Sequence, residues 1–576
     1  MKQDDATFDV VIVGGGPVGL LMAYQMRRFG VSACVVEQHD TFTQDAYGRA
    51  IALFPRTTEQ LDQLDVIDPM LQLGFACRSS VTYKEGERVI PGRVWTFMEN
   101  IRDTTFDFAL VLRQSYTEAI LRDKVAAVGA TYYPSTQCID FTVDESQPRD
   151  DYAVTSVFQD HKTQNTFKIK SKYLIGADGG RSFVRRHAGI PFDGESTEDR
   201  WIRIDGLVET DMPLSRAYGA IESKTHGNVL WAPLDHGATR IGFAYTDAIA
   251  AKYPRGVTQE VAVQEAIECV RPFKLVFKEV HWWTLYTIGQ RMARDFSAQS
   301  DRVFLCGDAA HTHSSGAAQG LNTGIHDAVN LGWKLAMVIR DQIHPAVLQT
   351  YAAERRSTVQ QLLDYDRDIA LLMSHKWPAW YTGDRTADPY LALGELFERM
   401  APFNTGLGIA YAANMLNQVG VATTLTVVPG SRPPDVELTT PGTLQPVRLQ
   451  RVTRNVARFI VLVFTGHIHA TRPAMAALAA YFESDKAASR LRSHDAVAWL
   501  TISALAGCSP YETLGMKPLG DTYYDTTTLA HNKFGVDLDK GALVVLRPDG
   551  LVGGAYDTLD GSLVKEYFAG LLLSTS

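Results

Sequence analysis

Phe8-Asp9-Val10-Val11-Ile12-Val13 leads into Gly14-Gly15-Gly16-Pro17-Val18-Gly19, and a helical pattern follows from Leu20 to Phe29. The first run is short, mostly apolar and β-branched, as a fully buried strand requires. The order is strand, glycine turn, helix. A second apolar run, Ser32 to Val36, ends at Glu37, 18 residues past Gly19, where a second parallel strand would deliver an acid beside the first turn. This spacing suits dinucleotide binding. Gly14 permits the tight turn, and Gly16 lets backbone N–H groups approach a pyrophosphate at the helix N-terminus. Gly19 lets helix and strand pack closely, and Glu37 can accept from ribose hydroxyls. The alternative is an ordinary tight turn between core elements; strand, helix and acid together favour the nucleotide.

With 576 residues the chain is too long for one hydrophobic core, and at about 150 residues each it predicts three or four domains. A net charge of -9 and the lack of a Lys/Arg stripe argue against nucleic acid as a partner. The longest apolar stretch, Val10 to Tyr24, is broken by glycine and too short to span a bilayer, and the opening Met1-Lys2-Gln3-Asp4-Asp5 lacks a signal-peptide layout. These features predict a cytoplasmic protein with no membrane partner. The six cysteines form no CxxC pair, which disfavours a disulfide framework and a zinc site.

Further along, Arg49 follows a glycine shortly after the first βαβ unit, and is either a surface charge or a group reaching back to a phosphate. Residues 78 to 110 alternate like antiparallel strands of a different layer. Leu112-Arg113-Gln114 opens a helix from Ser115 to Val128, with Ser115 as N-cap and Glu118 completing a capping box. Strand patterns run from Thr131 to Lys170. Tyr173-Leu174-Ile175-Gly176-Ala177-Asp178-Gly179-Gly180 is a second strand ending in glycines and an acid, and Ser182 then starts a short helix. From Trp201 to Tyr245 and from Glu279 to Ile288 the pattern is strand-like, with an amphipathic helix Gln259 to Cys269 between. A third strand and turn, Val303-Phe304-Leu305-Cys306-Gly307-Asp308, continues through Gln319-Gly320-Leu321-Asn322 into a long helix, Ile325 to Arg340. Three glycine-acid turns and two exposed helix N-termini predict one extended ligand held at several points. His311 and His313 lack a carboxylate or cysteine partner at ligand spacing and read as loop or core histidines, so no metal is expected.

In this order and spacing the three stretches resemble the single-component flavin-dependent aromatic hydroxylases over nearly the whole chain, and most closely the phenol 2-monooxygenase branch. The resemblance implies an α/β fold: a Rossmann-type FAD-binding domain with an inserted sheet-plus-helix substrate domain, and a C-terminal thioredoxin-like domain. The expected boundaries are 1–200 with 291–395 for the FAD-binding domain, 201–290 for the middle domain, 396–426 for a helical linker and 427–576 for the last domain, with 78–110 contributing to the substrate layer. By the same resemblance Gly14, Gly16, Gly19 and Glu37 hold the ADP part of FAD, and Arg49 with Gln114 reaches the phosphate and ribityl side. Asp178-Gly179 matches a fingerprint associated with both FAD and NAD(P)H. In Gly307-Asp308 the aspartate takes a ribityl hydroxyl, and Gly320, Leu321 and Asn322 lie beside the isoalloxazine ring. In the family that the chain resembles, NAD(P)H reduces FAD, oxygen adds to give a C4a-hydroperoxyflavin, and one oxygen atom passes to an electron-rich ring, which is the reaction the resemblance implies. The last domain implies a homodimer; with only Cys508 in it, dithiol exchange is excluded.

Four positions depart from the family. Ile51 stands where the phenol 2-monooxygenase branch has a phenol-activating aspartate, Leu234 where it has an arginine, and Gly242 where it has a tyrosine, while Tyr286 matches an active-site tyrosine. Ser315 replaces a proline beside the flavin. Arg240 serves either the flavin or an anionic substrate, or a structural ion pair. Apolar Ile51 and Leu234 cannot orient or deprotonate a small phenol, so the expected substrate is a bulkier phenolic or polyketide-derived aromatic of secondary metabolism. Tyr286, Arg240 and Ser315 are the candidate catalytic residues. The missing base keeps open Baeyer-Villiger insertion beside a ketone; a flavin-binding module without catalysis is the remaining reading.

Overall fold

The computed structural model describes residues 6–40, 50–314, 316–373, 376–418 and 423–573. The first layer is a sheet containing β1 (Ala6–Val13), β2 (Ala33–Val36), β3 (Thr131–Tyr133), β4 (Thr166–Gly176) and, after two long strands of a second layer, β7 (Val303–Leu305). These five run parallel in the order β7-β4-β1-β2-β3. Parallel strands are covered on both faces, so they carry near-continuous apolar runs such as Val10 to Val13 rather than alternation. An antiparallel pair, Thr136–Val143 and Val154–Asp160, extends from β4.

Four helices matter for the site: α1 (Pro17–Arg28), α2 (Gln114–Ala127), α3 (Gly320–Ile339) and α4 (Gln349–Met373). Glycines set the distance between α1 and α3. A Cβ at Gly324 would lie 2.7 Å from Val18 Cγ2, and one at Gly332 would lie 2.8 Å from Gln25 Oε1. Gln25 in turn donates to the Ala328 carbonyl at 3.0 Å.

The second layer is built on β5 (Phe192–Thr210) and β6 (Leu275–Ala293), two 19-residue antiparallel strands. Beside β5 lie Thr239–Ala244, Gly227–Pro233, Tyr218–Ser223, Ser80–Lys84 and Glu87–Arg88. Helix Gln259–Cys269 has the predicted limits. The expected boundaries at 200/201 and 290/291 are crossed by β5 and β6, because two long strands carry the chain continuously from one layer into the other. Ser80–Lys84 lies in the second layer, where it pairs in parallel with Tyr218–Ser223 and not antiparallel. Ala109–Val111 belongs instead to a small sheet with Ala52–Leu53 and Phe75–Cys77.

Helix starts lie upstream of their expected places. α1 begins at Pro17, whose missing N–H costs nothing in the first turn. α2 begins at Gln114 with Arg113 at the cap, so Ser115 is not the N-cap, and Glu118 accepts from Gln114 Nε2 at 2.7 Å. Among the described residues of the expected helical linker over 396–426, helix is confined to the end of Pro389–Arg399 and to Ala401–Asn404. Gly406, at φ +71°, breaks the pattern, and Asn414 and Asn417 donate instead to Glu354, each at 3.0 Å.

In the last domain Phe459–Phe464, Val497–Ser503 and Asp521–Tyr524 run parallel, and the hairpin of Ala542–Leu546 and Val552–Tyr556 pairs antiparallel to the first of them. Helices Ile468–Ser484 and Gly561–Ala569 complete this unit. Cys508 is exposed and the other five cysteines are buried, all of them free thiols. No helix among the described residues is long and apolar enough to cross a membrane.

Candidate active site

The three glycine-acid turns meet at one edge of the parallel sheet. Val13 pairs with Gly176 and Gly176 with Leu305, so β1, β4 and β7 end at the same height. The Ala177 N–H donates to Val13 O at 2.8 Å and the Cys306 N–H to Gly176 O at 2.9 Å. Gly14 is at φ +110°, and a Cβ there would collide with the Ala177 carbonyl. At Gly15 a Cβ would come within 2.9 Å of both the Glu37 Cβ and the Tyr132 hydroxyl. Nothing stands within 4 Å of a Cβ at Gly16, the N-cap of α1, and no side chain caps this end. Open space therefore faces first-turn N–H groups that have no acceptor within the helix. Glu37 closes the side of this cradle, its carboxylate accepting from the N–H groups of Gly15 at 2.6 Å and His39 at 2.8 Å.

In the second turn Asp178 accepts the N–H groups of Phe183 at 2.7 Å and Val184 at 3.1 Å, while its other oxygen is buried without a partner. Burial pushes this carboxyl up. Ser182 caps the short helix, as predicted, accepting from the Arg185 N–H at 2.9 Å. The Arg185 guanidinium then donates to Gly180 O at 2.9 Å and Ala309 O at 2.7 Å, tying the second turn to the third. Gly179, at φ +77°, is open to solvent on its Cβ side.

Asp308 is exposed in the third turn, although Gly307 and Ala309 on either side are buried. Beneath it lies Asp327 of α3, whose carboxylate accepts the Gly307 N–H at 2.9 Å, His311 Nε2 at 2.7 Å and Arg355 Nε at 2.6 Å. Burial alone would raise the Asp327 carboxyl; His311 and Arg355 override it and bring the value down to about 2. α3 begins at Gly320 with no side-chain cap. Asn322 is fully buried: its Oδ1 accepts from Phe54 N–H at 2.8 Å and Thr57 Oγ1 at 2.7 Å, and its Nδ2 donates to Ala52 O at 3.0 Å. Its side chain thus positions the α3 N-terminus. The Gln114 Oε1 accepts the Ala50 N–H at 3.2 Å, beside the segment carrying Arg49. Arg49 and Ser315 lie outside the described residues.

His311 is the carboxylate partner just described, and His313 donates from Nδ1 to Ser314 O at 2.7 Å. Among the described residues no group of three or more His, Cys, Asp or Glu side chains could hold a metal ion. Asp366 of α4 fixes the adjoining loop, accepting from Ser314 N–H at 2.8 Å and from Gln290 Nε2 of β6 at 2.7 Å.

On the second-layer side, Ile51 and Leu234 come together in one apolar cluster with Phe54, Trp95, Tyr218 and Ala317. The Trp95 and Tyr218 rings stack at 4.0 Å. The Tyr286 hydroxyl accepts from Arg203 Nε at 3.2 Å. Arg240, 1% exposed, forks onto Asp205 at 2.7 and 2.8 Å on the neighbouring strand. A Cβ at Gly242 would make ordinary contact with Leu230 at 3.5 Å. No local motif announces these contacts: Asp327 and Arg355 pair between two successive long helices, and Arg185 reaches Ala309 in a separate turn.

Residues 7–366 match the family model described as FAD binding domain, and residues 513–576 that of the phenol hydroxylase C-terminal dimerisation domain. The chain belongs to the FAD-dependent aromatic monooxygenases. It is 30% identical to 3-hydroxybenzoate 4-monooxygenase of Comamonas testosteroni, over 97% of this chain and 94% of that one. It is 28% identical to phenol 2-monooxygenase fsqG of Aspergillus fumigatus, over 94% and 93%. Its fold is similar to that of the flavin-dependent monooxygenase PieE, solved with FAD and substrate, with a TM-score of 0.74, 21% identity and coverage of 98% and 99%. The monooxygenase uses FAD as cofactor and NAD(P)H as reductant.

Two predictions follow from this geometry. Gly14→Ala should abolish FAD retention, read from the flavin absorbance of the purified monooxygenase, because the turn must move to relieve the Ala177 carbonyl; full flavin content would contradict the role of the close approach. Because the folded-state value of Asp327 lies below its unfolded value near 4, its contribution of on the order of 2 kcal/mol is present above about pH 4 and is lost as pH falls toward 2. The stability gap between the parent and Asp327→Asn, measured by urea unfolding from pH 7 to pH 3, should therefore shrink below about pH 4. A gap independent of pH would show that Asp327 is not ionised by its partners.

Proposed function

We propose that this monooxygenase inserts one oxygen atom of O2 into a bulky phenolic or polyketide-derived aromatic substrate in secondary metabolism, and works as a homodimer in the cytoplasm. The observation that carries the reading is the meeting of Ile51 and Leu234 in one apolar cluster with Phe54, Trp95 and Tyr218. Such a cluster gives no carboxylate or imidazole to a small phenol, and its apolar and aromatic character suits fused aromatic rings. Bound FAD, reduced by NAD(P)H, supplies the activated oxygen.

The chain's own groups divide the remaining work. Gly14, Gly16 and Gly19 with the uncapped end of α1 receive the pyrophosphate, and Glu37 the adjoining ribose. Arg49 and Gln114 serve the phosphate and ribityl side, as does the exposed Asp308. Asp178 and Gly179 shape the second turn. Gly320, Leu321 and Asn322 present the positive end of α3 to negative charge on the reduced ring. Tyr286, held by Arg203, orients the substrate hydroxyl; Ser315 borders the oxygen transfer; Arg240 keeps the second-layer sheet in register.

The test is a panel of phenol, fused-ring phenols and aryl ketones, with NAD(P)H consumption, peroxide release and product mass measured together. Fused-ring phenols should gain one oxygen atom per NAD(P)H consumed, with kcat/KM at least tenfold above that of phenol. A preference for phenol would sink the reading, and a ring-expanded ester or lactone from a ketone would replace it with Baeyer-Villiger insertion.

A further inference from the structure

The hairpin of the C-terminal domain reaches into the core beneath the flavin turns. We propose that Arg547, at the end of strand Ala542–Leu546, is a positioning residue for the flavin site, acting through Glu354, Tyr411, Arg355 and Asp327 on the Gly307-Asp308 turn. Arg547 is fully buried and grips Glu354 of α4 with two nitrogens, at 2.5 and 3.0 Å. It also pairs with Asp549 at 2.6 Å and lies 5.6 Å above the centre of the Tyr411 ring. Glu354 gathers Lys334 and Asn330 of α3, each at 2.8 Å, so Arg547 sets where α4 sits against the flavin-side helix.

The next residue of α4 continues the chain of contacts. Arg355 donates to Asp327 at 2.6 Å, to the Tyr411 hydroxyl at 3.0 Å and to Thr323 O in the first turn of α3 at 3.2 Å. Tyr411 is thus shared, its ring under Arg547 and its hydroxyl on Arg355. Asp327 then holds the Gly307 N–H at 2.9 Å. Buried ions with all their partners have few arrangements of low energy, and removing one partner leaves a charge that cannot stay where it is. Loss of the Arg547 fork therefore displaces Glu354 and Arg355 together. Burial also pulls the Lys334 ammonium down to about 8, so that Glu354 and its partners form a tightly balanced set. A C-terminal domain that only joined two subunits would need no such reach.

The experiment measures the FAD dissociation constant of the full-length chain by flavin fluorescence quenching, well below each variant's melting temperature. It needs no substrate, so its outcome is independent of the proposed reaction. Arg547→Met should raise Kd at least tenfold, Asp327→Asn should raise it as well, and the double variant should not exceed the larger single effect by more than twofold. Arg451→Ala, which removes a half-exposed arginine from its 3.2 Å pair with Asp62 between the same two domains and away from the Arg547 cluster, should leave Kd unchanged. Should Arg547→Met not fold, Arg547→Lys, which keeps the charge but not the fork, decides alone and should raise Kd at least threefold. A Kd within twofold of the parent in the folded Arg547 variant, or effects that multiply in the double variant, would overturn the proposal and leave Arg547 as interdomain cement.

Discussion

The close approach of Gly14 to the Ala177 carbonyl sets the spacing on which the site depends. Three parallel strands end at one height because Val13, Gly176 and Leu305 are register partners, and any side chain at Gly14 would push the first turn away from the second. In open α/β sheets ligands bind beyond the carboxyl ends of the strands. Here that edge carries the uncapped end of α1, the carboxylate of Glu37 and the exposed Asp308. Arg185 bridges the second and third turns from behind, so the edge is braced by a side chain as well as by strand pairing.

Below the edge the structure relies on buried charge. Asp327, Arg355, Glu354, Lys334 and Arg547 are each nearly or fully inaccessible, and each has its charge answered at hydrogen-bond distance. Such groups are weak evidence for stability, since apolar residues of similar size often serve as well. Their value lies in directionality: a carboxylate shared by a backbone N–H, an imidazole and a guanidinium allows little freedom to the turn above it. The same logic applies at Asp366, which joins the loop at Ser314 to Gln290 on the strand that carries Tyr286.

The glycine turns and their acids could be read from the sequence because each is local: a strand, a turn and a helix follow within about thirty residues. The helix Gln259–Cys269 was equally readable, since its apolar period and its Thr258 cap are contiguous. What failed was non-local or compositional. The parallel pairing of Ser80–Lys84 with Tyr218–Ser223 joins segments more than a hundred residues apart, and alternation along a strand does not say which way its neighbour runs. The helical linker expected over 396–426 gives way at Gly406 and at the two asparagines that serve Glu354. Asp327 and Arg355 read as ordinary helix charges, and only the fold reveals that they face inward. Arg240 was open to two roles on sequence alone, and its fork onto Asp205 depends on strand register.

If the three turns and the start of α3 hold one FAD together, binding should slow amide exchange at all of them at once. Hydrogen exchange followed by mass spectrometry, on the chain with and without FAD, should show one FAD per chain and simultaneous protection of residues 13–19, 176–181, 306–311 and 319–323, with little change at the exposed end of helix Gln259–Cys269. Protection confined to the first turn, or appearing at segments away from this edge, would contradict it.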